Sequence, residues 1–159
     1  MSLEKAKKHL EKYGLSDRIR LFEVSSATVA LAAEALGTEE ARIAKSLSFM
    51  TPDGPILVIA AGDAKVSNSK FKAQFETKAK MLAYDEVEAL IGHGVGGVCP
   101  FGVNEGVKVY LDESLRRFDK VYPAAGTASS AAELSVSELE AASEFSSWVD
   151  VTAIPEPAL

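Results

Sequence analysis

The spacing of apolar and polar positions divides the chain into short elements. Leu3, Ala6 and Leu10 recur at helical spacing, so Ser2 to Tyr13 is expected to form an amphipathic helix stopped by Gly14. RIRLFEV (18–24) reads as a strand. Ser25 to Leu36 is alanine-rich and helical, ends at Gly37, and is followed by a short helical turn in TEEARIA. KSLSFMT (45–51) alternates and ILVIAA (56–61) is continuously apolar; they flank PDGP, which predicts a β-hairpin. Ser67 is placed to cap a helix running to Phe75, and Asp85-x-x-Glu88 has the form of a capping box opening a helix that ends near Ile91. VKVYLD (107–112) and DKVYPAA (119–125) read as strands, Ser135-x-x-Glu138 as the start of a last helix, and WVDVT as a closing strand. Helices and strands mix without a strict βαβ rhythm. The expectation is one α+β domain over residues 1–159, with a mixed, partly antiparallel β-sheet flanked by helices.

Composition narrows the setting. A chain of 159 residues can bury a proper core, and 47% hydrophobic with 25% charged residues is the balance of a soluble globular domain. The longest apolar run, Ile56 to Ala61, is too short to cross a bilayer, and the N-terminal stretch is charged from Glu4 onward with no apolar signal core. A single cysteine, Cys99, excludes an internal disulfide framework. A cytoplasmic location without a membrane partner is expected.

The net charge of −6 argues at first against a nucleic-acid partner, but it is unevenly placed. Residues 1–130 hold 17 basic and 17 acidic side chains, so the whole excess lies in Glu133, Glu138, Glu140, Glu144, Asp150 and Glu156. AKVSNSKFKAQFETKAK (64–80) carries Lys65, Lys70, Lys72, Lys78 and Lys80 against Glu76 alone. That local excess can hold phosphates by counterion release; the alternative is a solvated lysine-rich face.

The most unusual stretch is GHGVGGVCPFG, Gly92 to Gly102, with five glycines and Pro100 in eleven residues. Gly92-x-Gly94-x-x-Gly97 fits the dinucleotide fingerprint formally. Such a fingerprint needs a strand before it and a helix opening from it, whereas here a helix precedes and Pro100 follows. No cofactor is therefore expected. His9, His93 and Cys99 do not have the spacing of a metal site, and no serine sits in a GxSxG elbow. Cys99 as a nucleophile with His93 as base stays open beside the simpler reading of a small apolar side chain next to Pro100. The remaining chemistry is that of the backbone. Glycines let N–H groups surround a carbonyl oxygen or a phosphate, and proline stiffens the loop exit. Lys45, at the start of an alternating strand, is either a solvent-facing charge or a positioned ammonium. AAGTASS (124–130) is either a routine turn or a narrow pocket wall around Gly126.

RIAKSLSF, IGHGVGGVCPFG and YPAAGTASSAAEL, in this order, resemble the YbaK/EbsC family of aminoacyl-tRNA deacylases, which is related to the editing domain of bacterial prolyl-tRNA synthetases. The resemblance runs from about Phe22 to Trp148. It implies the YbaK-type fold and hydrolysis of the ester joining a wrong amino acid to a tRNA, most often a proline tRNA, without cofactor or metal. By motif position it makes Lys45 the functional lysine and Gly96, Gly97, Val98, Cys99 and Pro100 the Gly-x-x-x-Pro loop whose backbone faces the substrate carbonyl. It assigns His93, Phe101, Gly102, Gly126 and Thr127 to the substrate pocket. Two positions depart from the family: His93 stands where many relatives carry tyrosine, and Thr127 where serine is common. The lysines between 65 and 80 become an expected path for the acceptor stem. Mischarged tRNA is the expected partner, with an aminoacyl-tRNA synthetase as a further one and DNA as none. The competing expectations are a non-catalytic tRNA- or protein-binding module with the same fold, and hydrolysis of another acyl ester or amide through Cys99.

Overall fold

The computed structural model describes residues 2–23 and 28–155. Helix α1 (Ser2–Glu11) is followed by strand β1 (Ile19–Leu21), helix α2 (Val29–Leu36) and strands β2 (Ile43–Thr51) and β3 (Gly54–Ala61). Next come β4 (Lys65–Val66), α3 (Asn68–Phe75), α4 (Val87–Ile91), β5 (Lys108–Asp112), β6 (Lys120–Pro123), β7 (Ser130–Ala132) and β8 (Leu134–Ser135). The last described elements are α5 (Val136–Ser143), β9 (Ser147–Val149) and β10 (Thr152–Ala153).

Six strands form a mixed sheet in the order β8-β6-β2-β3-β5-β9, and the pairs β1–β7 and β4–β10 stand apart from it. The α+β architecture with a mixed, partly antiparallel sheet is as the sequence pattern implies. The β2–β3 hairpin is antiparallel over Ala44↔Ala61 to Thr51↔Gly54. Its tip is held by the Thr51 hydroxyl, which donates to the Gly54 carbonyl at 2.8 Å, and Gly54 takes the φ of +116° the turn requires. β3 is buried on both faces, which is why its sequence is continuously apolar. Leu57, Ile59 and Ala61 enter a large core with Leu10 and Ala6 of α1 and Leu139 of α5. Ile56 and Val58 enter a second core with Phe49 and Phe71. There Phe71 of α3 lies 4.7 Å from the Phe49 ring, and Phe75 meets Tyr110 edge-on at 5.0 Å. A third, smaller cluster seats Ala33 and Leu36 of α2 on Ile43 and Ala131.

Local signals set most helix ends. Ser67 accepts from the Lys70 N–H, and Ser135 with Glu138 makes a complete capping box. Thr28 caps α2; the expected start of that helix at Ser25 lies outside the described residues. The capping box at Asp85 does not form. Helix α4 begins at Val87, and the nearby Glu86 carboxylate instead accepts from the Ala83 N–H at 3.3 Å. The single strand expected over WVDVT is broken at Asp150 into β9 and β10. The cause is Asp112, a fully buried carboxylate at the end of β5. It accepts from the Val151 N–H at 2.9 Å and the Thr152 hydroxyl at 2.7 Å, pulling the chain out of the sheet and onto β4. Among the described residues of RIRLFEV the strand covers Ile19–Leu21, antiparallel to β7, and Val24 lies outside the described residues.

Candidate active site

A cavity of about 390 Å³ opens between α2, β2, the 81–87 segment, the glycine loop and the β6–β7 connection. Its wall is mainly apolar, with the hydroxyl-bearing Ser46, Ser48 and Ser130 among the lining residues and Lys45 as the charged one. That size falls in the range of small-molecule sites. The buried Ser46 Oγ has no hydrogen-bond partner among the described residues.

Lys45 reaches the cavity from β2, where it pairs with Ala60. Its half-buried ammonium donates to the carbonyls of Ala64 and Gly62. Burial pushes its pKa below the ordinary lysine value; Asp63 opposes this and Lys65 adds to it. Asp63 does not form an ion pair with Lys45. Its carboxylate is taken by Arg117 through two bonds of 2.6 and 3.1 Å, and that guanidinium holds it below the usual carboxylate range. The ammonium thus faces carbonyl dipoles rather than a neutralising partner.

The glycine loop meets the cavity through Val95, Gly96 and Val98. Gly96 has φ +96°. The Gly97 N–H donates to the Gly94 carbonyl at 3.0 Å. The N–H groups of Gly96, Val98 and Cys99 have no backbone or side-chain oxygen or nitrogen acceptor among the described residues. Gly97 is glycine for a different reason. A Cβ there would lie 2.3 Å from the Gly126 carbonyl oxygen, so the loop rests directly on the 126–127 peptide. Gly126, at φ +99°, is pressed in turn against the start of α1, with Ser2 O 2.4 Å from where its Cβ would be.

Three expected pocket residues lie behind the loop, not in the cavity wall. Phe101 is fully buried in the large core, and the Gly102 N–H donates to His9 Nδ1 at 3.0 Å. His9 Nε2 therefore carries the proton and donates to the Ala142 carbonyl at 2.6 Å, tying α1, the loop and α5 together. His93 is also fully buried, its Nε2 donating to the Phe101 carbonyl at 2.6 Å. Thr127 does not line the cavity; its hydroxyl and N–H both meet Ser130 Oγ, which does. Glycine-rich loops hide this distinction in sequence, because the same residue types serve close packing and ligand contact. The wall residues Ser46, Ser48, Met81 and Tyr84 escaped sequence reasoning; the Ser46-Leu47-Ser48 alternation was the available signal for the first two.

Desolvation lowers the His93 pKa from its ordinary value. The folded protein thus resists a proton that the unfolded chain accepts. This contribution to stability is present above about pH 6.5 and is lost as the pH falls below it, by at most about 1.4 kcal/mol per pH unit. Urea unfolding across that interval should show the loss, with a shallower pH slope in His93→Gln.

Cys99 is fully buried, and burial pushes its thiol up to about 12. Its Sγ is 3.6 Å from His93 Nε2, but that nitrogen's proton is already directed at Phe101 O, so His93 is no base for it. The nucleophile reading of Cys99 is therefore corrected to a packed thiol. Thiol alkylation of the native protein near neutral pH is expected to leave less than about a tenth of Cys99 modified within the time that exposes no unfolded chain. Mass spectrometry checks this; rapid stoichiometric labelling would contradict it.

The lysines between 65 and 80 differ in their partners. Lys70 is tied to Asp150 at 3.1 Å and to the Thr152 carbonyl at 2.8 Å. Lys65, Lys72, Lys78 and Lys80 are exposed and have no ion pair among the described residues. Among those residues no group of three or more His, Cys, Asp or Glu is placed to hold a metal, and no helix is long and apolar enough to cross a membrane.

The model of the aminoacyl-tRNA editing domain family matches residues 23–142. YwhH of Bacillus subtilis (strain 168) is 47% identical over 152 residues, 95% of this chain and 97% of that protein. EbsC of Enterococcus faecalis (strain ATCC 700802 / V583), named as a candidate Cys-tRNA(Pro)/Cys-tRNA(Cys) deacylase, is 31% identical over 96 residues, 59% of this chain and 58% of EbsC. A crystal structure of a candidate trans-editing enzyme for prolyl tRNA synthetase superposes with a TM-score of 0.86 at 28% identity. It covers 96% of this chain and 97% of its own.

Proposed function

The chain belongs to the aminoacyl-tRNA editing domain family, and from that premise we propose that it is a trans-acting deacylase of a mischarged proline tRNA carrying a small wrong amino acid. The observation that carries this reading is that Lys45 and the Gly96–Val98 backbone border one cavity, and both present unsatisfied donors. An ammonium has three donors, and two are engaged by Gly62 and Ala64. The third is free for a ligand oxygen. The fold shared with the candidate trans-editing enzyme for prolyl tRNA synthetase supports action in trans.

An aminoacyl ester is already activated, so the protein's task is positioning and charge stabilisation. Water adds to the ester carbonyl carbon, and the π pair moves onto the oxygen. The N–H groups of Gly96 and Val98 receive that oxyanion, with the Lys45 ammonium beside it. The intermediate then collapses, the carbon–ribose oxygen bond breaks, and the ribose oxygen takes the proton released by the water. The backbone does this work without a protein nucleophile, consistent with the inert Cys99 thiol. Selectivity comes from the small, mainly apolar wall and from the polar wall groups that a substrate group must satisfy.

The test is deacylation of proline tRNA charged separately with alanine, serine, threonine and cysteine, with prolyl-tRNA as control. Hydrolysis of one mischarged species that spares prolyl-tRNA is the expected result. Binding of these tRNAs without hydrolysis of any would overturn the reading in favour of a binding module.

A further inference from the structure

We propose that the segment Lys78–Tyr84 is a landing platform for the unpaired 3′-terminal nucleotide of the RNA, with the Tyr84 ring as its stacking surface. This rests on the deacylase reading and adds a binding residue to that site. Three large apolar side chains of the cavity wall remain in water at its mouth: Met81 (57% exposed), Tyr84 (79%) and Val95 (51%). The other three tyrosines all have partners. Tyr13 donates to Glu144, Tyr122 donates to Glu133, and Tyr110 packs edge-on against Phe75. Tyr84 has no hydrogen bond or ring contact among the described residues.

The segment is also held in place. The Met50 N–H donates to the Lys80 carbonyl at 2.8 Å, the Leu82 N–H donates to the Ser48 carbonyl at 3.2 Å, and Met81 bridges Phe49. It is therefore stitched to β2, the strand that carries Lys45. Lys78 and Lys80, exposed and unpaired among the described residues, lead directly into Met81 and Tyr84. Cations followed by an exposed aromatic ring are the elements of single-strand recognition, in which phosphates follow the charges and a base lies on the ring. An ester held in the cavity places the nucleotide that bears it at the mouth, where Tyr84 stands.

The experiment measures binding of two proline tRNA transcripts, one with its complete 3′ end and one lacking the terminal nucleotide. Wild type is expected to prefer the complete RNA by about ten-fold. Tyr84→Ala should lose that preference while binding the shortened RNA as wild type does, and Tyr84→Trp should restore it. Lys78→Ala combined with Lys80→Ala should weaken both RNAs and flatten the salt dependence. A ten-fold preference that persists in Tyr84→Ala would overturn the platform and leave the deacylase reading intact. Absence of a preference in the wild type would overturn it too. If the wild type neither binds nor deacylates any proline tRNA, the deacylase reading fails and the platform with it.

Discussion

Replacing Lys45 by alanine is expected to lower kcat/KM for the mischarged tRNA by about 10²- to 10³-fold, the scale of removing one preorganised oxyanion donor. The lysine is half-buried, and its carbonyl partners orient the ammonium without neutralising it. Its removal leaves the Ala64 and Gly62 carbonyls short of a donor, at a cost of about 1 kcal/mol each at most. The fold should therefore survive, and urea unfolding of Lys45→Ala and Lys45→Met separates stability from catalysis. Lys45→Met keeps the length of the hydrocarbon stem, so equal losses of activity in both variants assign the effect to the charge. The sign of the pH effect follows from burial. The ammonium is the competent form and its pKa is lowered, so the Lys45-dependent part of the rate is present at neutral pH. It falls on the alkaline side before the ordinary lysine value of about 10.4 is reached. The ratio of wild-type to Lys45→Ala rates, which cancels alkaline lability of the ester, should decline there. Undiminished deacylation by a folded Lys45→Ala would remove the lysine from the mechanism.

Gly97→Ala is expected to be as damaging, by a steric route. The new Cβ would sit 2.3 Å from Gly126 O, 2.4 Å from its carbonyl carbon and 2.6 Å from Thr127 N. All three are backbone atoms, so no side chain can swing aside. Gly126 is itself closely packed, with Ser2 O of α1 2.4 Å from where its own Cβ would be. The loop must lift away from the 126–127 peptide. Overpacking of this kind costs about 1–3 kcal/mol of stability. A displacement of about 1 Å at the oxyanion donors lowers kcat/KM by about 100-fold. Gly54→Ala is the control. Gly54, unlike Gly97, has a positive φ, but a Cβ there meets nothing within 4 Å, and it lies at the far end of the hairpin from Lys45. It should cost about 1–2 kcal/mol for backbone strain alone and leave kcat/KM within about two-fold. Full activity of Gly97→Ala would mean that the loop does not depend on its seat on the 126–127 peptide.

The α+β class, the hairpin and the caps at Ser67 and Ser135 were legible in the sequence because each depends on neighbours within a few residues. The continuous apolar run of β3 predicts only one arm of a hairpin; its burial on both faces came with the fold. Membership in the editing family was legible too, since the three motifs recur in order along the chain. What failed was what depends on distant partners. The break between β9 and β10 is made by Asp112, some 40 residues earlier in the chain. The small strands β4, β7 and β8 are two or three residues long, and the alanine and serine of β7 and β8 give them little local preference.

The site divides in the same way. The sequence singled out the glycine run around Pro100 as a backbone able to approach a ligand closely, and the family resemblance added Lys45 as the expected functional lysine. Tertiary structure alone decided which side of the glycine run meets the cavity. Gly96 and Val98 line it, while Gly97 packs on Gly126 and His93, Cys99 and Phe101 turn into the core. It alone brought Tyr84 and Met81 to the mouth and committed Lys70 to Asp150. The physical reason is that composition limits what a segment can do, but burial, the direction of an N–H group and the pairing of a charge belong to contacts between segments far apart in the chain.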